Sequence, residues 1–264
     1  MRILLLIAGV LFVSSLTAPA RAGMAEECQQ FQDSDLKIDG CTAMIQTGLL
    51  QGKTLATVYS NRAYAYVKLG KYHLGIADFY QALRLNPGDA IAYYNRGGTY
   101  SGLGEHRRAI ADYDQALRLD PGYADAYHNR GNAYRNLGDH ARAIADFDQA
   151  LRLDPGLAAA YNGRGTTYLN LGNDARAIDD FDRALQLDPG YARAYTNRSL
   201  ARCHLGQIEA SLDDQLQALR LGAVTAEDGQ RYLRDRGFYK GAIDGDFGSA
   251  SQQALRDWTT AGCP

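Results

Sequence analysis

The sequence predicts an all-α solenoid, an open stack of helix–turn–helix repeats, and two observations predict it. The first is strict self-similarity at one fixed step, the spacing that separates Tyr59 from Tyr93. Tyr59, Tyr93, Tyr127, Tyr161 and Tyr195 share one column, Gly70, Gly104, Gly138, Gly172 and Gly206 a second, and Pro87, Pro121, Pro155 and Pro189 a third. A period of that length belongs to supersecondary units that bury their apolar faces only by stacking. The second observation is helical spacing inside each repeat. Ala92, Tyr93, Arg96, Tyr100 and Leu103 fit one helix, and Ala109, Ile110, Tyr113, Ala116, Leu117 and Leu119 fit the next.

Residues 1–22 read as a secretory signal, not as fold. Arg2 supplies the positive end, Ile3 to Leu16 is an apolar run, and Ala20-Arg21-Ala22 is a small-x-small cleavage site. That run is short for a bilayer span. The mature chain is expected to begin near Gly23, in the periplasm or outside the cell of a Gram-negative bacterium, with no membrane span after cleavage. Export makes the four cysteines (Cys28, Cys41, Cys203 and Cys263) disulfide candidates, with three connectivities open. No Cys-x-x-Cys or paired-His pattern suggests a metal or redox site.

Residues 23–52 are expected to form a degenerate helix pair. Residues 36–50 align with later second helices, and 24–33 would be a short first helix. Cys28 and Cys41 then fall near the place where the two helices touch. A Cys28–Cys41 bond would staple an array end that lacks a neighbour.

Five repeats fill residues 53–222. Gly104 and its column end each first helix, because glycine takes the left-handed cap conformation cheaply. Asp120-Pro121-Gly122 and its equivalents stop each second helix. Small residues are expected at the helix crossings, Gly97 facing Ala109 and Gly131 facing Ala143.

The pattern Tyr93, Gly97, Tyr100 on the first helix and Ala109, Tyr113, Ala116, Pro121 on the second resembles the tetratricopeptide repeat (TPR) family. The resemblance implies a right-handed superhelix whose concave groove, lined by first helices, takes a peptide or partner helix. Groove candidates on that basis are Asn61, Tyr64, Tyr94, Asn95, Asp125, His128, Asn129, Asn132, Arg135, Asn162, Thr166, Arg193, Thr196 and Asn197. The asparagine column (Asn61, Asn95, Asn129, Asn197) breaks at Gly163. An amide there can donate and accept at once, toward a peptide backbone or toward a neighbouring helix.

A further column, Arg62, Arg96, Arg130, Arg164 and Arg198, looks like a ligand ladder. Asp78, Asp112, Asp146, Asp180 and Asp214 stand at matching height on the second helices. Forked guanidinium–carboxylate pairing inside the stack is therefore the expectation, since a half-buried charge needs its partner.

Residues 223–264 follow another grammar. A helix is expected from Gln230 to Arg236, then turns at Gly241, Gly245 and Gly248, then a helix from Ser249 to Thr259. Leu233, Gly237-Phe238-Tyr239, Gly241, Ile243-Asp244-Gly245, Phe247-Gly248 and Ala254-Leu255 resemble the peptidoglycan-binding domain family, a small three-helix module. That resemblance implies contact with glycan strands or service as a packing unit. Asp244 is expected to tie the loop and Phe247 to fill the core. A Cys203–Cys263 bond would pin the module to the last repeat.

With 28 Lys plus Arg against 30 Asp plus Glu, the net charge is -2. No single-sign field exists to hold nucleic acid non-specifically. No nucleophile, base and acid share a column, so neither a catalytic site nor a cofactor is expected. The leading expectation is a non-catalytic scaffold that binds a protein or peptide, with peptidoglycan as a second contact. The first rival is a purely structural scaffold whose last module is only a cap. The second is a regulatory array of the kind that glycosyltransferases carry, but residues 24–264 are all assigned to repeats or module, so no sugar-transfer domain is expected.

Overall fold

The computed structural model describes Cys28 and residues 33–262. Among the described residues there are thirteen helices and no strand: α1 (Ser34–Gln46), α2 (Gly52–Lys68), α3 (Tyr72–Leu85), α4 (Ala90–Gly102), α5 (His106–Leu119), α6 (Ala124–Asn136), α7 (His140–Leu153), α8 (Ala158–Asn170), α9 (Asp174–Leu187), α10 (Ala192–His204), α11 (Ile208–Arg220), α12 (Ala226–Asp235) and α13 (Ser249–Thr260). They fall into two compact units, one up to Ala133 and one from Tyr134, with the division inside α6.

The turns follow from the residues named above. At the end of α4, Gly104 takes φ +76°, and the Glu105 amide returns to the Tyr100 carbonyl at 2.9 Å. This closes the helix with its orphan carbonyl satisfied. Between repeats, the carboxylate of Asp120 accepts the Gly122 amide at 2.9 Å, and Asp188 does the same for Gly190 at 2.9 Å. The aspartate thus shapes the turn that proline permits.

In the first unit α2 packs on α3 and α4 on α5. A Cβ placed on Gly97 would stand 2.9 Å from the Tyr113 ring and 3.2 Å from the Ala109 carbonyl. Glycine is what lets these two helices cross so closely. At the N-terminal end Cys28 and Cys41 are bonded, with Cα atoms 5.4 Å apart, inside a cluster with Met44, Leu50 and Val58. The expected signal at 1–22, most of the expected helix at 24–33, and Cys263 lie outside the described residues.

In the second unit α7 packs on α8, α8 on α9 and α10 on α11. Here the close crossings are at Gly163, whose Cβ would meet the Phe147 ring at 2.6 Å, and at Gly165, which would meet Phe181 at 2.8 Å. The seam between successive repeats is apolar: Ala184, Leu185 and Ala194 with Tyr161, Tyr191 and Tyr195. Cys203 on α10 is buried and disulfide-bonded.

The C-terminal stretch corrects one boundary. The helix expected to begin at Gln230 begins at Ala226, because the Thr225 hydroxyl caps it by accepting the Asp228 amide at 3.1 Å. Ala226 stands one full step of the repeat after Ala192, so the backbone register continues after the side-chain columns stop. After Gly222 the described residues form two helices, α12 and α13, and α11 is the third helix of their core. That core joins Leu212, Leu233, Tyr239, Ala254 and Leu255, with Phe238, Phe247 and Trp258 partly buried against it.

Candidate functional site

The arginine column is consumed inside the stack. Arg62 forks onto Asp78 at 2.7 and 2.9 Å, Arg96 onto Asp112 at 2.7 Å twice, Arg164 onto Asp180, and Arg198 onto Asp214. Asp146, the third carboxylate of the column, is buried on α7. A second column joins in from the preceding repeat: Asp114 to Arg130, Asp148 to Arg164 and Asp182 to Arg198. At the first step Thr42 on α1 takes that place, accepting from Arg62 at 2.9 Å. Each guanidinium also lies over the tyrosine one turn earlier, Arg96 over Tyr93 at 5.7 Å and Arg198 over Tyr195 at 5.4 Å. Pairing with Asp180 and Asp148 holds the Arg164 guanidinium above its ordinary value, against the opposing effect of burial.

Within each unit the first helices touch one another along a face of their own, α2 with α4 in the first and α8 with α10 in the second. In the first unit this face carries Asn61, Tyr64, Tyr94, Asn95, His128, Asn129 and Asn132. Asn129 reaches back to the preceding first helix, donating to the Tyr94 hydroxyl at 2.9 Å. The Tyr94 ring lies 4.7 Å from Tyr123 and 6.0 Å from Tyr113. Burial raises the Tyr94 phenol, and the same effect with Tyr94 and Asp125 close by pushes Tyr123 up to about 12. Asn132 and His128 lie 3.0 Å apart on one turn of α6. Tyr64 is exposed and takes the Lys68 amine over its ring at 5.4 Å. Asn61 and Asn95 are half-buried and Asp125 is exposed.

In the second unit the first helices carry the candidates Arg135, Asn162, Thr166, Arg193, Thr196 and Asn197. Asn197 donates to the side-chain amide oxygen of Asn162 and to the Thr166 hydroxyl, each at 3.1 Å. The column breaks at Gly163 because the Phe147 ring stands where a Cβ would go. Asn162, one position earlier, supplies the missing amide. The asparagines at 129 and 197 therefore tie first helices together. Arg135 is different. It makes one long bond, 3.5 Å, to the Gly163 carbonyl, and it forms no ion pair among the described residues. Burial and then the charge of Arg193 lower its pKa. No carboxylate among the described residues pairs with Arg135 to offset that charge.

The C-terminal loop has a hub that the sequence did not single out. Gln230 is fully buried. Its Nε2 faces the Asp244 carboxylate at 2.8 Å and the Asp246 carbonyl at 2.9 Å, and its Oε1 accepts the Asp244 and Gly245 amides at 3.1 Å each. Asp244 also accepts the Asp246 amide at 3.0 Å. These bonds hold the Asp244 carboxyl below the usual carboxylate range. Gly245 turns the loop at φ +75°, and Phe247, followed by Gly248 at the α13 N-cap, leans on the core. Among the described residues no group of three His, Cys, Asp or Glu side chains could hold a metal ion, and no helix is long and apolar enough to cross a membrane.

Antiparallel helix pairs that are cross-linked internally, with first helices side by side in each unit, define a helical-repeat scaffold. Family models of the tetratricopeptide repeat match residues 54–122, and overlapping copies match 99–158, 128–192 and 162–250. The chain belongs to the tetratricopeptide repeat family. Solved structures share the fold. PilW, described as a type IV pilus biogenesis factor, is 21% identical over 77% of this chain and 90% of its own, with a TM-score of 0.64. MamA from Desulfovibrio magneticus RS-1 is 19% identical over 63% and 94%, with a TM-score of 0.58. YrrB, described as a TPR protein with an unusual peptide-binding site, is 23% identical over 64% and 87%, with a TM-score of 0.52.

Proposed function

We propose that this protein is a non-catalytic scaffold of the bacterial cell envelope that holds a protein or peptide segment against the face of its first helices. The observation that carries the reading is Arg135, a half-buried cation on the first-helix face whose one bond is a 3.5 Å contact to the Gly163 carbonyl and which pairs with no carboxylate among the described residues, while the charge of Arg193 acts on it as well. Such an arrangement costs stability unless an anionic partner completes it. The ladder arginines offer no such valence, because Asp side chains already occupy them. The peptide-binding site named for YrrB is consistent with this use of the fold. Export rests on the N-terminal signal pattern, and an oxidising compartment suits the Cys28–Cys41 bond.

The experiment is affinity capture from an envelope extract with the mature chain and with an Arg135→Glu/Arg193→Glu variant. A partner retained by the first and lost by the second supports the reading. An identical set of captured proteins removes it. Wall attachment through residues 223–264 is a separate proposal, tested by sedimentation with purified peptidoglycan. The rival cap reading draws on the core that α11 shares with α12 and α13, and it expects no sedimentation.

A further inference from the structure

The tyrosine column reaches its sixth step at Gly229, one full repeat after Tyr195. Tyr195 packs on the seam formed by Ala184, Leu185 and Ala194. At the next seam the equivalent of Leu185 is Leu219, and the tyrosine ring that should cover it is missing. The Phe247 ring partly takes its place, 3.1 Å from where a Cβ on Gly229 would stand, with Leu219 at 3.7 Å. The replacement is incomplete. A cavity of about 460 Å³ stays open beside it, walled by Leu200, Leu219, Tyr232, Phe247, Leu255 and Trp258. That volume falls within the range of ligand pockets, roughly 300–1,000 Å³.

The only acid on the lining is Asp228, and its carboxylate is engaged by Arg231 at 2.8 Å and the Thr225 hydroxyl at 2.8 Å. Thr196 and Asn197 belong to the lining too, so the cavity opens onto the first-helix face. Along α10 one face carries Arg193, then Thr196 and Asn197, then Leu200. From Arg193 to Leu200 the helix rises about 10 Å. An extended strand covers that distance in about three residues.

We propose that this cavity anchors one large apolar side chain of an extended peptide partner, whose acidic residue, about three positions away, lies against Arg193 and Arg135. The proposal rests on the scaffold reading and adds its specificity: apolar side chain into the cavity, carboxylate onto the arginine pair. Charge complementarity selects a peptide over a bare apolar molecule, since only the peptide satisfies both ends.

Trp258 is the only tryptophan of the chain, so its emission reports on the cavity directly. The probes are tryptophan-free decapeptides, blocked at both ends, with Glu and Phe three positions apart in either order in a Gly/Ser background. One order should give a saturable change in Trp258 emission. Changing the peptide's Phe to Ser, or Leu200→Gln in the protein, should weaken it at least about tenfold, as burial of such a side chain requires. Changing the peptide's Glu to Gln should weaken it and remove its salt dependence. Leu200 is 37% exposed, so its replacement leaves the fold in place; Val224→Gln, at 40% exposure, is the second variant.

A saturable signal that ignores the Phe-to-Ser change overturns the proposal. So does no signal from either peptide, or an equal response to N-acetyl-phenylalaninamide alone. The two readings fail separately. An envelope partner lost on Arg135/Arg193 reversal but indifferent to Leu200→Gln sinks the cavity proposal and leaves the scaffold standing. Capture that is indifferent to the charge reversal sinks the scaffold reading itself.

Discussion

At Arg164 one guanidinium meets two carboxylates, Asp180 from its own repeat and Asp148 from the repeat before. The Asp180 side chain is 7% exposed and that of Asp148 is 38% exposed, so the two contacts differ in kind. The inner one sits where water cannot replace a lost partner. The outer one is screened and contributes little. A buried pair roughly breaks even against apolar residues of the same volume, but an orphaned partner is costly. Asp180→Ala is therefore expected to lose about 3 kcal/mol, and Arg164→Leu a similar amount. Arg164→Leu combined with Asp180→Leu should recover most of that loss. Urea unfolding of the three variants measures the coupling. Losses that simply add would mean that the two charges do not depend on each other.

Helix crossings set the demands at the next scale. A Cβ on Gly163 would stand 2.6 Å from Phe147 Cε1 and 2.7 Å from Cζ, and that ring is fully buried. Glycine in a helix forfeits about 1 kcal/mol relative to alanine. Overpacking a closed core costs about 1–3 kcal/mol. The overlap wins, so Gly163→Ala is expected to destabilise α8 against α7. Gly98→Ala is the contrast: its Cβ would meet only the Tyr113 hydroxyl, at 3.8 Å, so the propensity gain should show as a rise in melting temperature.

The repeat was legible because each of its columns answers one recurring local need: a left-handed turn at Gly104, a stop at Pro121, a small residue at Gly97. Asp114, Asp148 and Asp182 also recur at the repeat spacing, but only three repeats carry them. Their first equivalent is Tyr80 and their last is Leu216. The start of α12 is not legible in the columns for a related reason. Its cap and helix keep the step, while Gly229 and Tyr232 stand where tyrosine and arginine would. Gln230 gave no pattern at all, since a buried amide that serves several loop atoms is defined by the loop and not by spacing. Arg135 on α6 and Arg193 on α10 share no column, so no spacing relates them.

For the whole molecule the open question of stability is how a stack ends. Each repeat buries its apolar side on the next, and the last has no next. Here Leu212 and Leu216 of α11 turn toward Leu233, Tyr239, Ala254 and Leu255, so the C-terminal stretch covers what a further repeat would have covered. The cover is apolar below and polar at its loop, where Gln230 fixes the backbone of 244–246. The buried Cys203 sulfur lies 3.8 Å from the Thr259 carbonyl, which places the end of α13 directly on α10. Removing residues 224–264 should therefore strip the last repeat of its cover. Hydrogen exchange is expected to show lost protection in α10 and α11, while α8 and α9 keep theirs. Protection that drops evenly over all four helices would mean that the second unit folds as one block and that the stretch is more than a local cap. Unchanged protection in α10 and α11 would mean that the stretch is an independent domain resting on the array, and its own binding activity would then be the reason for its presence.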